Sequence, residues 1–350
     1  MFEQEEQRDE LLEKIEDLIS RKRYAELRDL LLPLEAQDIA GLFMELDDKV
    51  PMVFRLLPKE QAAEVFVELD SEEQEVLIQS FSNTELKEVL DELYLDDTVD
   101  MIEEMPATVV KRILRNTDVE TRASINTLLR YPEDSAGSIM TPEFVDLKRD
   151  MTVEDAFKRI RRTGVDKETI YTCYVTDASR HLLGVTTVKE LLLHDQDDRI
   201  EAFMETNVIY VNTLSDQEEA AAQLSKYDFL ALPVVDLEER LVGIITVDDA
   251  MDVIQEENTE DFEKMAAMAP SEKPYLRTGV FTLARHRILW LLVLMISGMI
   301  TGGILGRYEA AFSVMPLLVT FIPMLTDTGG NAGSQSSTLV IRGMAVGEIQ

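Results

Sequence analysis

Residues 288–305 read ILWLLVLMISGMITGGIL, eighteen positions without a charge. At about 1.5 Å of rise per residue, a helix of that length covers roughly 27 Å, close to the hydrocarbon thickness of a bilayer. The core helix of a large soluble protein usually carries a polar stripe, and no charged stripe is present here. Arg277, Arg285 and Arg287 precede the run, while Arg307 follows it with Glu309 close by. The cation-rich side stays cytoplasmic, so the long segment before the run is expected to face the cytoplasm. Gly298 and Gly302 form a G-x-x-x-G face that permits close helix approach.

Beyond it, residues 310–325 are apolar but interrupted by Pro316 and Pro323. They give way to TDTGGNAGSQSSTLVIRG at 326–343, dense in glycine, hydroxyls and amides. Lipid would leave such groups unpaired, so the segment is expected to be broken backbone lining a water-filled path. An extramembrane loop is the competing reading.

The chain has 350 residues, and its 68 Asp and Glu against 34 Lys and Arg give a formal net charge of −34. That balance excludes nucleic acid and anionic lipid surfaces as partners and favours cations. The single cysteine, Cys173, lies in the apolar run IYTCYV and is expected in a core, so neither a disulfide framework nor a thiolate metal site is available. The N-terminus, MFEQEEQRDE, does not have the character of a signal peptide.

From residue 3 to residue 131 the apolar positions recur at three and four. The segments 28–34, 38–46, 51–57, 61–69, 72–81, 85–93, 98–105 and 107–114 read as short helices with legible caps. In SNTE, Ser82 caps and Glu85 stands three positions on. Stacked short helices with almost no glycine predict an α-superhelix over 1–131, a docking surface more than a pocket. Within it Asp96 and Asp100 lie one helical turn apart, either as a solvated face or as part of a cation site.

Residues 139–254 contain one unit twice. Met140 and Met204, like Val145 and Ile209, are 64 apart, whereas Asp177/Asp236, Gly184/Gly243 and Thr187/Thr246 are 59 apart. The first copy therefore carries about five extra residues, placed in RRTGVDKET at 161–169. Each unit reads strand, helix, strand, Asp-led turn, strand, helix. This resembles a tandem pair of CBS domains, at 135–201 and 202–249. Such pairs often bind adenine nucleotides, with a Ser/Thr-x-x-Asp at the last strand–helix junction holding the ribose. Thr246 and Asp249 match that pattern, whereas the first copy has Thr187 with Glu190.

Next comes VDDAMDVIQEENTEDFEKMAAM, where Asp248, Asp252, Glu256 and Glu260 recur every four residues beside Asp249, Glu257 and Asp261. Like charges at that spacing repel by about 0.2–0.5 kcal/mol per pair. A helix over 250–272 is thus either a solvated spacer or one neutralised by a bound ion. Carboxylates without histidine or thiol suit a hard divalent cation, Mg²⁺ or Ca²⁺.

PMLTDTGGNAGSQSSTLVIRG is similar to the signature of the MgtE family of magnesium channels, and the order of parts matches along the whole chain. The resemblance implies a multidomain fold: an all-α superhelical N-domain, an α/β CBS pair, a connecting plug helix and an α-helical transmembrane domain. Of five spans in that family, this sequence would carry the first two, at 280–307 and 311–343, leaving the membrane domain incomplete. It implies a homodimeric, multi-pass Mg²⁺ channel of the bacterial plasma membrane, its N-terminal domains cytoplasmic and its gate closed by intracellular Mg²⁺. By motif, the sensor carboxylates would be Asp96 and Asp100 in the N-domain and Asp216, Glu218 and Asp228 in the second CBS unit. On the plug they would be Asp249, Asp252, Glu257, Glu260 and Asp261. Asn331, Ser334 and Thr338 would line the pore, Ser334 standing where an amide is expected. Mg²⁺ is thus expected both as cargo and as regulator, with ATP a further ligand of the CBS pair.

The alternative is a membrane-anchored Mg²⁺ or adenine-nucleotide sensor that does not itself transport. A CBS-linked intramembrane metalloprotease would need His-Glu-x-x-His, and His181, His194 and His286 stand in no such context. No Ser/His/Asp or Cys/His arrangement appears either, so an enzyme is not expected.

Overall fold

A computed structural model describes residues 2–269 and 278–345. Positions 270–272 of the expected connecting helix, and Arg277, lie outside the described residues. The chain forms two compact units, dividing after Ala250.

The first unit opens with ten helices: α1 Phe2–Ser20, α2 Tyr24–Leu31, α3 Ala36–Phe43, α4 Val50–Phe54, α5 Lys59–Val67, α6 Ser71–Ser80, α7 Asn83–Leu90, α8 Leu95–Glu104, α9 Ala107–Asn116 and α10 Val119–Leu128. Helices α1 and α10 are additional to the eight read from periodicity. Such short helices are marginal alone, so packing rather than propensity holds them. Alternate helices stack, α3 on α5, α5 on α7 and α7 on α9, which is the superhelical arrangement. At the centre Phe54 meets Phe43, Phe66 and Phe81 at ring-centroid distances of 6.5, 6.3 and 5.4 Å. The capping box at Ser82 forms in full: Glu85 N donates to Ser82 Oγ at 3.2 Å, and Ser82 N to Glu85 Oε2 at 2.7 Å.

The two repeats follow. The first is β1 Val145–Lys148, α11 Val153–Thr163, β2 Thr172–Thr176, β3 Leu182–Thr187 and α12 Val188–Leu193. The second is β4 Val211–Asn212, α13 Gln217–Tyr227, β5 Ala231–Val235, β6 Leu241–Thr246 and α14 Val247–Met265. Each forms a three-stranded sheet in sequence order, the first pair parallel and the second antiparallel. The repeats exchange edges. Thr141 bridges Ile244 on β6, and Glu205 bridges Val185 on β3.

The paired glycines explain themselves in this exchange. A Cβ on Gly243 would meet Met140 Sδ at 2.6 Å and the Thr141 carbonyl at 3.0 Å. One on Gly184 would meet the Glu205 carbonyl at 2.8 Å and Met204 Sδ at 3.0 Å. Cys173 is buried with Val145, Leu147 and Val175, and burial pushes its thiol up to about 12.

Helix α14 starts at Val247, directly out of β6, so the boundary expected at 249/250 falls inside one helix. From Met251 onward the second unit contains the rest of α14, then α15 Val280–Arg307, α16 Glu309–Val314 and α17 Leu317–Ala345. Helix α15 has 28 residues, contains an 18-residue window of mean hydropathy 2.3, and has no buried residue. Among the described residues it alone is long and apolar enough to cross a membrane.

The second apolar run departs from expectation. Pro316 separates α16 from α17, but α17 is continuous through Pro323 and through the glycine-rich stretch that was expected to be broken. Hydroxyls there bond within the helix: Thr326 Oγ1 to the Ile322 carbonyl at 2.9 Å, Ser336 Oγ to Ala332 at 2.8 Å and Ser337 Oγ to Gly333 at 3.0 Å. Polar side chains that close on their own helix need no broken backbone.

Candidate metal site at the junction of the helical domain and the first repeat

Helix α8 begins LDDTVD, and its first turn is pressed against the segment entering β1. Leu95 N donates to Glu143 Oε2 at 3.3 Å, and Glu168 N donates to the Glu143 carbonyl at 2.9 Å. Carboxylate oxygens of Asp96, Glu143 and Glu168 therefore converge to within 4.8 Å of one another. Among the described residues this is the one group of three acidic, cysteine or histidine side chains close enough to share an ion. Asp96 is buried, at 6 % exposure, and among the described residues its Oδ1 has no hydrogen-bond partner; nor has Glu168 Oε2.

The charged groups acting on Asp96, Asp97 and Glu168 are other carboxylates. Burial, then Asp249, Asp97, Glu168 and Glu143, raises Asp96 far above the usual carboxylate range. Burial, followed by Asp249, Glu143 and Asp248, lifts Asp97 to about 6 against an opposing backbone hydrogen bond. Glu168 is pushed up to about 8 by burial, then by Asp97, Asp249, Asp248 and Glu143. Two unit charges 4.8 Å apart repel by about 3.5 kcal/mol at an effective dielectric of ~20. The cluster cannot be fully ionised without a counter-ion. Protonation or a cation would relieve this repulsion, and an all-oxygen donor set suits a hard divalent one.

Of the residues expected from the sequence, Asp96 is at the centre of this site and Asp249 acts on it electrostatically. The Asp249 carboxylate also accepts from the Thr246 hydroxyl and, at 3.4 Å, from Thr246 N at the start of α14. Asp100, one turn along α8, is exposed. Asp216 caps α13, accepting from Glu218 N at 2.9 Å, and Asp228 ends that helix in the left-handed region at φ 54°. These three do not join the carboxylate group. Asp252, Glu257, Glu260 and Asp261 lie along α14 in the second unit, where Lys264 pairs with Glu260 at 2.8 Å. Asn331, Ser334 and Thr338, at spacings of three and four, share one face of α17. Asp327, one turn before Asn331 and 3.4 Å from its amide nitrogen, extends that face.

Sequence reading missed Glu143, Glu168 and Asp97. Glu168 had a signal: it sits in the five-residue excess of the first repeat, which turns in a short 3-10 segment at Gly164–Asp166.

An acidic superhelix joined through a carboxylate cluster to a pair of repeated three-stranded units, with a long apolar helix further along the chain, defines a protein of the CBS-containing class. Comparison with known proteins narrows the class. Residues 34–134 match the MgtE intracellular N domain, and residues 136–197 and 200–256 match the CBS domain. The chain is 39 % identical to the magnesium transporter MgtE of Thermus thermophilus, over 92 % of this chain and 73 % of that one. It is 32 % identical to the Bacillus subtilis magnesium transporter MgtE, over 97 % and 75 % respectively. A solved structure of the cytosolic domain of the Mg²⁺ channel MgtE in complex with ATP matches with a TM-score of 0.66 and 40 % identity, covering 69 % of this chain and 99 % of that one. This chain belongs to the MgtE family of magnesium transporters.

Proposed function

We propose that this chain is the subunit of a homodimeric Mg²⁺ transporter, multi-pass in the bacterial plasma membrane with its N-terminal domains cytoplasmic. Two relatives named as magnesium transporters, at 39 % and 32 % identity, support transport of that ion. In this reading intracellular Mg²⁺ closes the path by bridging α8 to the first CBS repeat through Asp96, Glu143 and Glu168. The carrying observation is the buried Asp96 carboxylate, whose unpartnered Oδ1 points among other carboxylates. Mg²⁺ keeps most of its water, so a few carboxylates and several waters suffice. When the ion leaves, mutual repulsion loosens the junction. The plug carboxylates Asp252, Glu257, Glu260 and Asp261 would act in the same sense, and the face of Asn331, Ser334 and Thr338 would guide the hydrated ion.

An adenine nucleotide at the CBS pair is part of the reading, since the related cytosolic domain was solved with ATP. Around Thr246 and Asp249, however, Asp248, Glu143 and Glu168 would repel phosphates. A nucleotide there needs its charge compensated by a cation.

Hydrogen exchange on the full chain tests the gate. MgCl₂ should slow the amides of residues 95–104 and 141–144 well beyond KCl of equal ionic strength, and Asp96→Asn with Glu168→Gln should remove the difference. Equal protection in both salts would leave the cluster merely protonated and end the sensor reading. Uptake of Mg²⁺ into proteoliposomes separates a transporter from a sensor that moves nothing.

A further inference from the structure

A second site lies in the first repeat and has the opposite sign. A cleft of about 340 Å³ is lined by Arg159 and Thr163 of α11, Lys167 of the inserted loop, Thr176 at the end of β2 and Arg180 of the following hairpin. Pro142, Phe144 and Leu241 supply its apolar wall. Its volume falls within the ~300–1,000 Å³ usual for small-molecule pockets. One carboxylate enters it, Asp146, and that group is already engaged by two cations. Arg159 forms an ion pair with it, and Lys148 Nζ lies 3.4 Å from its Oδ2 while donating to Thr176 Oγ1 at 2.7 Å. Lys167 and Arg180 form no ion pair among the described residues.

Three cations converging on one cleft are unexpected in a chain of net charge −34. The internal repeat supplies a control. By the 64- and 59-residue offsets, the second copy has Gln223 where the first has Arg159, Asn212 for Lys148 and Glu239 for Arg180. Lys167 belongs to the insertion, which the second copy lacks. Both copies nevertheless form the same sheet in the same order, so the fold does not require these cations. Overall negative charge does not forbid an anion here: at physiological salt the field is screened over about 8 Å, whereas these cations act at contact.

We propose that this cleft binds the phosphate group of a small phosphorylated metabolite. Arg180 and Lys167 hold the phosphate, the neutralised Asp146–Arg159–Lys148 set forms the floor, and Phe144 with Leu241 bounds the uncharged part. Guanidinium forks suit phosphate oxygens, and the Thr176 hydroxyl, which accepts from Lys148 and keeps its own proton to donate, completes the donor set. The site is separate from the Thr246–Asp249 junction, which is lined by carboxylates.

Calorimetric titration of the full chain in detergent, without divalent ions, tests this with inorganic pyrophosphate and AMP as probes. Pyrophosphate or AMP should bind, and Arg180→Glu, which installs the residue the second repeat carries, should weaken binding at least tenfold with the melting temperature unchanged. Lys167→Gln, in the insertion, should weaken it severalfold as a second and independent variant. Tighter binding of AMP than of pyrophosphate would identify a nucleotide as the source, and the reverse an inorganic phosphate. Absence of binding for both probes, or binding unchanged in both variants, overturns the proposal. So does AMP binding that is lost in Thr246→Val yet kept in Arg180→Glu.

Discussion

Asp96 and Glu168 tie stability to pH in a direction opposite to that of ordinary salt-bridged acids. Their carboxyls are raised above unfolded values, so between about pH 4.5 and 8 the folded chain holds more protons than the unfolded one. Stability is fully present below that window and is lost as pH rises through it, by up to ~1.4 kcal/mol per pH unit for each proton retained. Thermal melts without divalent ions should therefore fall from pH 5 to pH 8. Glu168→Gln should flatten the decline, since it removes the group raised to about 8. In the proposed site protons and Mg²⁺ would compete for the same oxygens, so the Mg²⁺ concentration that restores the melting temperature should drop as pH rises from 6 to 8. A melting temperature that climbs over this range would contradict the raised carboxyls.

At the scale of elements, the superhelix depends on a few large side chains and the repeat on two missing ones. Phe54 touches three aromatic neighbours, and Phe54→Ala should cost about 3–5 kcal/mol in denaturant unfolding. Gly243→Ala forces a methyl onto Met140 and the Thr141 carbonyl, where repeats exchange edges, and should cost about 1–3 kcal/mol. Much of this scale was legible in the chain. Short helices announce themselves by caps and period, and the repeat by two constant offsets whose difference locates the insertion. What that insertion does was not legible, because Glu168 meets carboxylates distant in sequence and Lys167 lines a cleft built from other segments. Glu143 is equally silent, a single acid before a strand. The stretch at 326–343 misled for a local reason: its polar side chains argue for broken backbone, yet α17 is continuous and its hydroxyls are satisfied by carbonyls of their own helix.

At the scale of the whole molecule the charge of −34 is a store of repulsion that a specific ion can release only where carboxylates are buried together. Exposed acids respond to any salt, because screening depends on ionic strength and not on which cation supplies it. Asp96, Glu143 and Glu168 converge where added K⁺ gives little relief, since one monovalent charge cannot balance several converging carboxylates at the cost of its own dehydration. Titration of the full chain with MgCl₂ and with KCl at equal ionic strength should therefore give two components in the melting temperature. One, common to both salts, reports the solvated acids of the superhelix. The other appears with MgCl₂ alone, saturates, and vanishes in the Asp96→Asn, Glu168→Gln double variant while the common component persists. A rise of equal size in both salts would assign all the acidic surface to solvation, with no ion held at the junction.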